Sequence, residues 1–282
     1  MEHEEIALSD REFERVKQRV YAQAGISLSD AKRTLVVSRL GKIVRQHGLS
    51  SIDAYLDFLE HSAGADEAQR FVNALTTNLT RFYREDHHFA HLADHVGQIV
   101  SARRGARPRL RIWSAGCSTG QEPYSITMSL MARFPELKKW DFLVLATDID
   151  TSVVERARTG IYPVSELSGL NAERAALFEK LADGRIQVPE VARERVVFKP
   201  LNLMDAWPMK GPFDAIFCRN VAIYFDKPTQ TRLFGRLGEM LAPDGYLYIG
   251  HSENLGGRVS NFKLVGQTIY RRDATSGSRT AA

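Results

Sequence analysis

A change of grammar near residue 109 constrains this chain more than any other feature of its sequence. Beyond it, the short β-rich runs LRIWSA (110–115), FLVLATDID (142–150), RVVFKPLNL (195–203), FDAIFCRN (213–220) and GYLYIGHSE (245–253) follow one another, the first four each separated from the next by helical or loop sequence. Alternation of this kind predicts an α/β fold, a parallel sheet covered by helices on both faces. Between the second and third runs, residues 151–194 are more than one crossover helix requires. The excess, about 160–195, reads as a small inserted β-hairpin subdomain, because ADGRIQVPEV (182–191) carries an Asp183-Gly184 turn.

Residues 1 to about 80 read as helices only. Ser9 followed by Glu12 is a capping-box signature, and Phe13, Val16, Val20 and Tyr21 then recur at helical spacing until Gly25. Further helices are predicted over 29–48, 51–62 and 66–75. These boundaries give a helical N-terminal domain at 1–76, a connector at 77–90 and a sheet domain at 91–272. The last residues, 273–282, read as a disordered tail.

With 282 residues, 44% of them apolar, and 38 Lys+Arg against 34 Asp+Glu for a net charge of +4, the composition is that of a globular protein and excludes disorder along the whole length. No run reaches the ~18 apolar residues of a membrane span, and the acidic start MEHEEIALSD lacks the pattern of a signal peptide, so a cytoplasmic protein without membrane insertion is expected. Two cysteines, Cys117 and Cys218, are too few for a disulfide scaffold and are read as thiols.

Chemistry concentrates where strands end. The first run leads into Gly116-Cys117-Ser118-Thr119-Gly120-Gln121-Glu122 and a helix, where small residues let a ligand approach outward-pointing N–H groups. The second ends at Asp148, placed to accept hydrogen bonds from ribose hydroxyls. The spacing is not G-x-G-x-x-G and no pyrophosphate loop replaces it, so a nucleoside without a diphosphate fits best. Leu241-Ala242-Pro243-Asp244-Gly245-Tyr246-Leu247 is a helix stop, and it also resembles the late part of the S-adenosylmethionine-dependent methyltransferase (Rossmann-like) fold.

Five motifs, ALTTNLTRFYRE (74–85), EPYS (122–125), TDID (147–150), FCRNVAIYF (217–225) and GHSEN (250–254), together resemble the CheR family of bacterial chemotaxis-receptor methyltransferases, in the family's order from about residue 8 to 272. The resemblance implies transfer of a methyl group from S-adenosyl-L-methionine to glutamate side chains on the cytoplasmic methylation helices of chemoreceptors, with S-adenosyl-L-homocysteine as by-product. By position it assigns cofactor contacts to Asn78, Thr80, Arg84, Glu122, Asp148, Asn202, Leu203, Arg219 and Asn220. It sets Arg84 and Tyr224 beside the reacting carboxylate as catalytic residues. Read without the resemblance, Asn78 and Thr80 are also helix-capping residues and Tyr224 a core aromatic.

Between residues 31 and 50, on the second helix, there are five bases, Lys32, Arg33, Arg39, Lys42 and Arg45, and no acid. Lys32, Arg39, Lys42 and Arg45 share an arc of about 140°, opposite Val36, Leu40, Ile43 and Val44. This is the expected receptor-binding face, although a basic face also suits solvent or nucleic acid. No nucleic-acid partner and no metal are expected, and the protein is expected to act as a monomer. His87, His91 and His95 share one side of a helix but lack a fourth ligand.

The runner-up functions are an RNA, DNA or small-molecule methyltransferase, a non-catalytic S-adenosylmethionine-binding module and, more distantly, a nicotinamide oxidoreductase. Cys218-Arg219-Asn220-Val221 is neither [D/N]-P-P-[Y/F] nor a Pro-Cys nucleophile motif. The chain departs from enteric members at residues 181–191, shorter than the loop that holds a receptor's C-terminal pentapeptide, which predicts a tether-independent enzyme. Ala222 also replaces a larger residue.

Overall fold

Ser9 opens the helical segment as its spacing predicts. Its hydroxyl accepts from the Glu12 N–H (3.3 Å) while the Glu12 carboxylate accepts from the Ser9 N–H (2.8 Å), so each side chain satisfies a donor that the first turn leaves open. In this computed structural model, which describes residues 8–103, 105, 107–257 and 259–273, four helices follow: α1 (Asp10–Ala24), α2 (Arg33–Gln46), α3 (Ile52–His61) and α4 (Ala65–Leu75). Residues 76–86 cross without regular structure to α5 (His87–Ala102). Residues 1–7 and 274–282, including all but the first residue of the expected tail, lie outside the described residues.

The sheet segment runs β1 (Arg109–Ala115), α6 (Gln121–Arg133), β2 (Asp141–Asp148), α7 (Thr151–Thr159), β3 (Ile161–Tyr162), α8 (Ala172–Ala175), β4 (Glu179–Lys180), β5 (Ile186–Gln187), α9 (Glu190–Arg193), β6 (Val196–Pro200), β7 (Phe213–Cys218), α10 (Lys227–Met240), β8 (Leu241–Ile249), β9 (Phe262–Gly266) and β10 (Ile269–Arg272). Strand order is β6-β2-β1-β7-β8-β10-β9, and a second small sheet has the order β3-β5-β4. The expected hairpin is thus β4–β5, joined by β3 as a third strand.

Two expectations need correction. The large sheet is mixed, since β10 pairs antiparallel with β8 and β9 antiparallel with β10. Among the described residues no helix lies between β8 and β9, and two residues separate β9 from β10, so an antiparallel return is the connection available. The second concerns the turn alone: α10 stops at Met240 as expected, but Leu241–Gly245 already belongs to β8, paired with β7 across a register shift.

Alternate residues of the central strands face two cores. Ile112, Ala215, Phe217 and Tyr248 meet α5 and α6, whereas Trp113, Ile216, Leu247 and Ile249 share one cluster with α10 and with Val16, Leu40, Leu56 and Phe71 of the helical segment. The N-terminal helices are therefore packed on the sheet by a shared core, and the junction lies along the carboxyl ends of β1, β2 and β7. No helix among the described residues is long and apolar enough to cross a membrane.

Phe217 is fully buried, stacked on Tyr248 (4.2 Å between ring centres) and facing Phe89 (6.1 Å). Phe217→Ala is expected to lower unfolding free energy in urea by about 3–5 kcal/mol. A loss below about 1 kcal/mol would contradict this packing.

Candidate functional site

Above the carboxyl ends of the central strands, the connector closes a cavity of about 280 Å³. The turn after β1 is built by backbone chemistry. The Gly116 and Cys117 N–H groups donate to the Thr147 carbonyl (2.7 and 2.9 Å), and the Ser118 N–H donates to Asp148 (2.8 Å). Gly116 has φ +90°, and a Cβ there would stand 2.2 Å from Val221 Cγ2, so only glycine lets the β1 and β7 ends approach so closely. Burial pushes the Asp148 carboxyl up to about 6, against the opposing pull of the Asp150 and Ser118 N–H groups.

Asp150, two residues on, fastens the connector. One carboxylate oxygen accepts from the Thr76 hydroxyl (2.8 Å) and the Asn78 amide (2.7 Å), while the other caps α7 through Ser152 N–H (2.9 Å). The Ser118 hydroxyl donates to the Asn78 carbonyl (2.9 Å). Asn78 is thus a fastening residue at this turn, not the cap of α5.

A second fastening is ionic. The Arg219 guanidinium, with its side chain 2% exposed, lies 3.5 Å from Glu85 and 3.3 Å from Glu122, and also donates to the Arg84 carbonyl. Glu122 additionally accepts from the Ser114 hydroxyl (2.7 Å). Burial raises the Glu122 carboxyl above its usual range, with Arg219 pulling it back. At the end of β7, the buried Glu253 carboxylate accepts from the N–H groups of Gly250 (2.6 Å), Asn220 (2.9 Å) and Ile223 (3.1 Å), which fixes the turn ahead of Tyr224.

Asn78, Thr80, Arg84, Glu122, Asp148, Asn202, Leu203, Arg219, Asn220 and Tyr224 all line this one cavity. Their side chains are not equally free. Arg219 is committed to its carboxylates, and the Asn202 amide donates to the Gln23 carbonyl at the end of α1 (2.7 Å). Arg84 donates to the Leu79 carbonyl (3.0 Å), and the Tyr224 hydroxyl lies 3.5 Å from the Thr77 carbonyl.

None of the five bases of the second helix lines the cavity. Two of them are engaged within the chain: Arg33 pairs with Asp10 (2.6 Å) and lies over the Phe13 ring, and Arg39 donates to the Ala74 and Thr76 carbonyls. Lys32, Lys42 and Arg45 remain exposed. His87, His91 and His95 lie over the β8 and β10 side of the sheet, with His87 3.0 Å from the Gln267 carbonyl, His91 3.0 Å from the Tyr248 hydroxyl, and His95 against Tyr246. Among the described residues no group of three or more His, Cys, Asp or Glu is poised to hold a metal.

The sequence reading missed Asp150, Glu85, Ser118 and Glu253 as builders of this site. Asp150 carried a usable signal, a short acid just before the helix at Thr151. Glu85 and Glu253 stand within the quoted motifs, but the partners that make them builders, Arg219 for Glu85 and the Asn220 and Ile223 N–H groups for Glu253, are remote in sequence.

Parallel strands in the order β6-β2-β1-β7-β8, a glycine turn after β1, an acid ending β2 and a cavity over the strand ends define the class of S-adenosylmethionine-dependent methyltransferases. Comparison with known proteins narrows this. The descriptions "CheR methyltransferase, SAM binding domain" and "CheR methyltransferase, all-alpha domain" match residues 78–271 and 11–76. The chain belongs to the CheR methyltransferase family. It is 44% identical over 257 residues to a probable chemotaxis protein methyltransferase of Rhizobium etli, covering 89% of this chain and 96% of that one. The chemotaxis protein methyltransferase of Escherichia coli is 45% identical over 273 residues, covering 95% and 92%. Chemotaxis protein methyltransferase 2 of Pseudomonas aeruginosa is 43% identical over 277 residues, covering 95% of each.

Asp150→Ala removes both connector bonds and a helix cap. Trypsin cleavage at Arg81 is expected to accelerate several-fold, because local opening becomes easier. Unchanged cleavage would show that the connector is held by other contacts.

Proposed function

We propose that this protein transfers a methyl group from S-adenosyl-L-methionine to glutamate side chains of bacterial chemoreceptors, forming methyl esters. One observation carries the reading: the ten residues that the family pattern singles out, scattered over the connector and four strand ends, line a single cavity. The names of the relatives, chemotaxis protein methyltransferases, supply the receptor as substrate.

The cavity suits a nucleoside donor on chemical grounds. Asp148 is a buried carboxylate for ribose hydroxyls, Glu122 a second acid across from it, and Ile26, Leu203 and Phe225 give apolar walls. When bound, the donor supplies a sulfonium methyl whose carbon–sulfur bond breaks, its electron pair going to sulfur, as a carboxylate oxygen bonds to the carbon. A glutamate of ordinary pKa, about 4.3, is already an anion at neutral pH, so no general base is needed. What remains is alignment, worth up to about 7–11 kcal/mol when reacting groups are held in line. Arg84 and Tyr224, at the cavity edge, align the carboxylate without taking its proton. Water exclusion helps further, since opposite charges meet and vanish. Lys32, Lys42 and Arg45 form the exposed basic face that steers an acidic receptor helix.

We infer too that no pentapeptide tether is used. The β4–β5 turn closes on itself through Leu181 N–H to the Arg185 carbonyl (2.9 Å) and the Asp183–Arg185 ion pair, which supports a hairpin without spare length. An NWETF-type peptide is expected to give no binding heat in calorimetry, and micromolar binding would overturn this.

The decisive test of the reaction uses methyl-labelled donor with a receptor cytoplasmic fragment. Alkali is expected to release labelled methanol, whereas alkali-stable label would refute ester formation. Tyr224→Phe is expected to slow turnover about fivefold, the worth of one neutral hydrogen bond, and a rate that titrated with a tyrosine-like pKa would contradict the alignment role. Donor binding to ionised Asp148 has a pH signature. With the free carboxyl at about 6, by-product affinity is constant above that value and falls up to about tenfold per pH unit below it. Calorimetry between pH 5 and 8 reads this directly, and Asp148→Asn is expected to flatten the profile.

A further inference from the structure

Beside the donor cavity lies a second, more open cleft of about 480 Å³. The two share Arg81, Arg84 and Asn220, so these side chains form the partition between them. In an in-line displacement the carboxylate meets the methyl carbon from the side opposite the departing sulfur. A carboxylate brought by another protein therefore needs its own approach, and this cleft reaches Arg84 from the opposite side.

Its charge suits an acid. The two acids on its wall are already matched, Asp86 by Arg174 and Glu85 by Arg219. Arg81 is exposed, and His251 is 49% exposed beside His87, their rings stacked 5.3 Å apart at 28°. The backbone of this wall is rigid: Glu253 gathers the Gly250 and Asn220 N–H groups, and the His251 N–H lies 3.4 Å from Glu85. The GHSEN motif thereby divides its labour, with Glu253 turned inward to hold the wall and His251 turned toward the cleft.

We propose that this cleft is the acceptor subsite, receiving the acidic side chain of the protein substrate, and that Arg81 and His251 contact the acceptor chain as its carboxylate reaches Arg84. The assignment rests on the ester-forming reading above. His251, which lines the cleft alone, then governs acceptor recognition and leaves donor binding alone, whereas Arg81 lines both cavities and bears on each.

The test uses the full chain, methyl-labelled S-adenosylmethionine and a receptor cytoplasmic fragment, comparing wild type with Arg81→Glu, His251→Gln and Arg84→Ala. Arg81→Glu is expected to raise KM for the fragment about tenfold or more and His251→Gln about threefold, the scale of one interfacial charge contact. Calorimetry with S-adenosylhomocysteine should give a Kd within about twofold of wild type for His251→Gln, whose residue lines the cleft alone, which also shows that this variant is folded. An unchanged KM in both variants, or a His251→Gln Kd that weakens in step with its KM, overturns the acceptor subsite. If wild type forms alkali-labile ester and Arg84→Ala loses it while the other two variants behave as wild type, the cleft assignment alone falls. If wild type forms no ester, the underlying reading falls with it.

Discussion

One buried guanidinium organises this site. Arg219 comes from the end of β7, Glu122 from the first turn of α6 and Glu85 from the connector, and their mutual attraction brings three distant stretches of chain to one point. A charge so fully desolvated is tolerable only when paired. Removing one partner from such a group typically costs about 3–5 kcal/mol, because the remaining charge is stranded. The arrangement contributes geometry more than net stability. It fixes the Arg84 carbonyl, and with it the start of the side chain proposed to meet the acceptor.

The connector around Arg84 is held against its local preferences. Tyr83 and Glu85 both have positive φ, +54° and +57°, a conformation that non-glycine residues adopt only when their surroundings dictate it. Those surroundings include the inserted subdomain. Phe82 packs edge-on against Tyr162 and Phe178 (4.9 and 4.8 Å), and Arg174 lies 4.1 Å over the Tyr83 ring. From the other side, Ser125 accepts the Tyr83 N–H (3.0 Å). The three-stranded insertion is thus structurally continuous with the connector wall of the cavity, whatever it meets on its outer surface.

Much of this was legible in the sequence, for identifiable reasons. Helices α1 and α3 announce themselves through Ser9, Glu12 and Ser51, since capping is a contact between near neighbours in the chain. The central strands are legible because they are buried on both faces and read as apolar runs. What escaped is what depends on remote partners. The sequence around Phe262–Gly266 and Ile269–Arg272 is short, and β9 exposes Leu264 and Val265, so no buried face marks it as a strand. Likewise Arg33 and Arg39 read as free bases on a helix face, because Asp10 and the Ala74 and Thr76 carbonyls that engage them lie at least 23 residues away. Residue types at the strand ends pointed to a nucleoside, but the cage of Glu85, Asp150 and Glu253 emerges only when the connector is laid over the sheet.

The central claim is that the donor lies between the connector and the carboxyl rim of the sheet. Amide hydrogen exchange of the full chain with and without S-adenosylhomocysteine tests it most directly. New protection is expected across residues 76–86, 116–120, 148–150 and 219–224, with little change in β9 and β10. Binding without protection of the connector, or no binding at all, would contradict it.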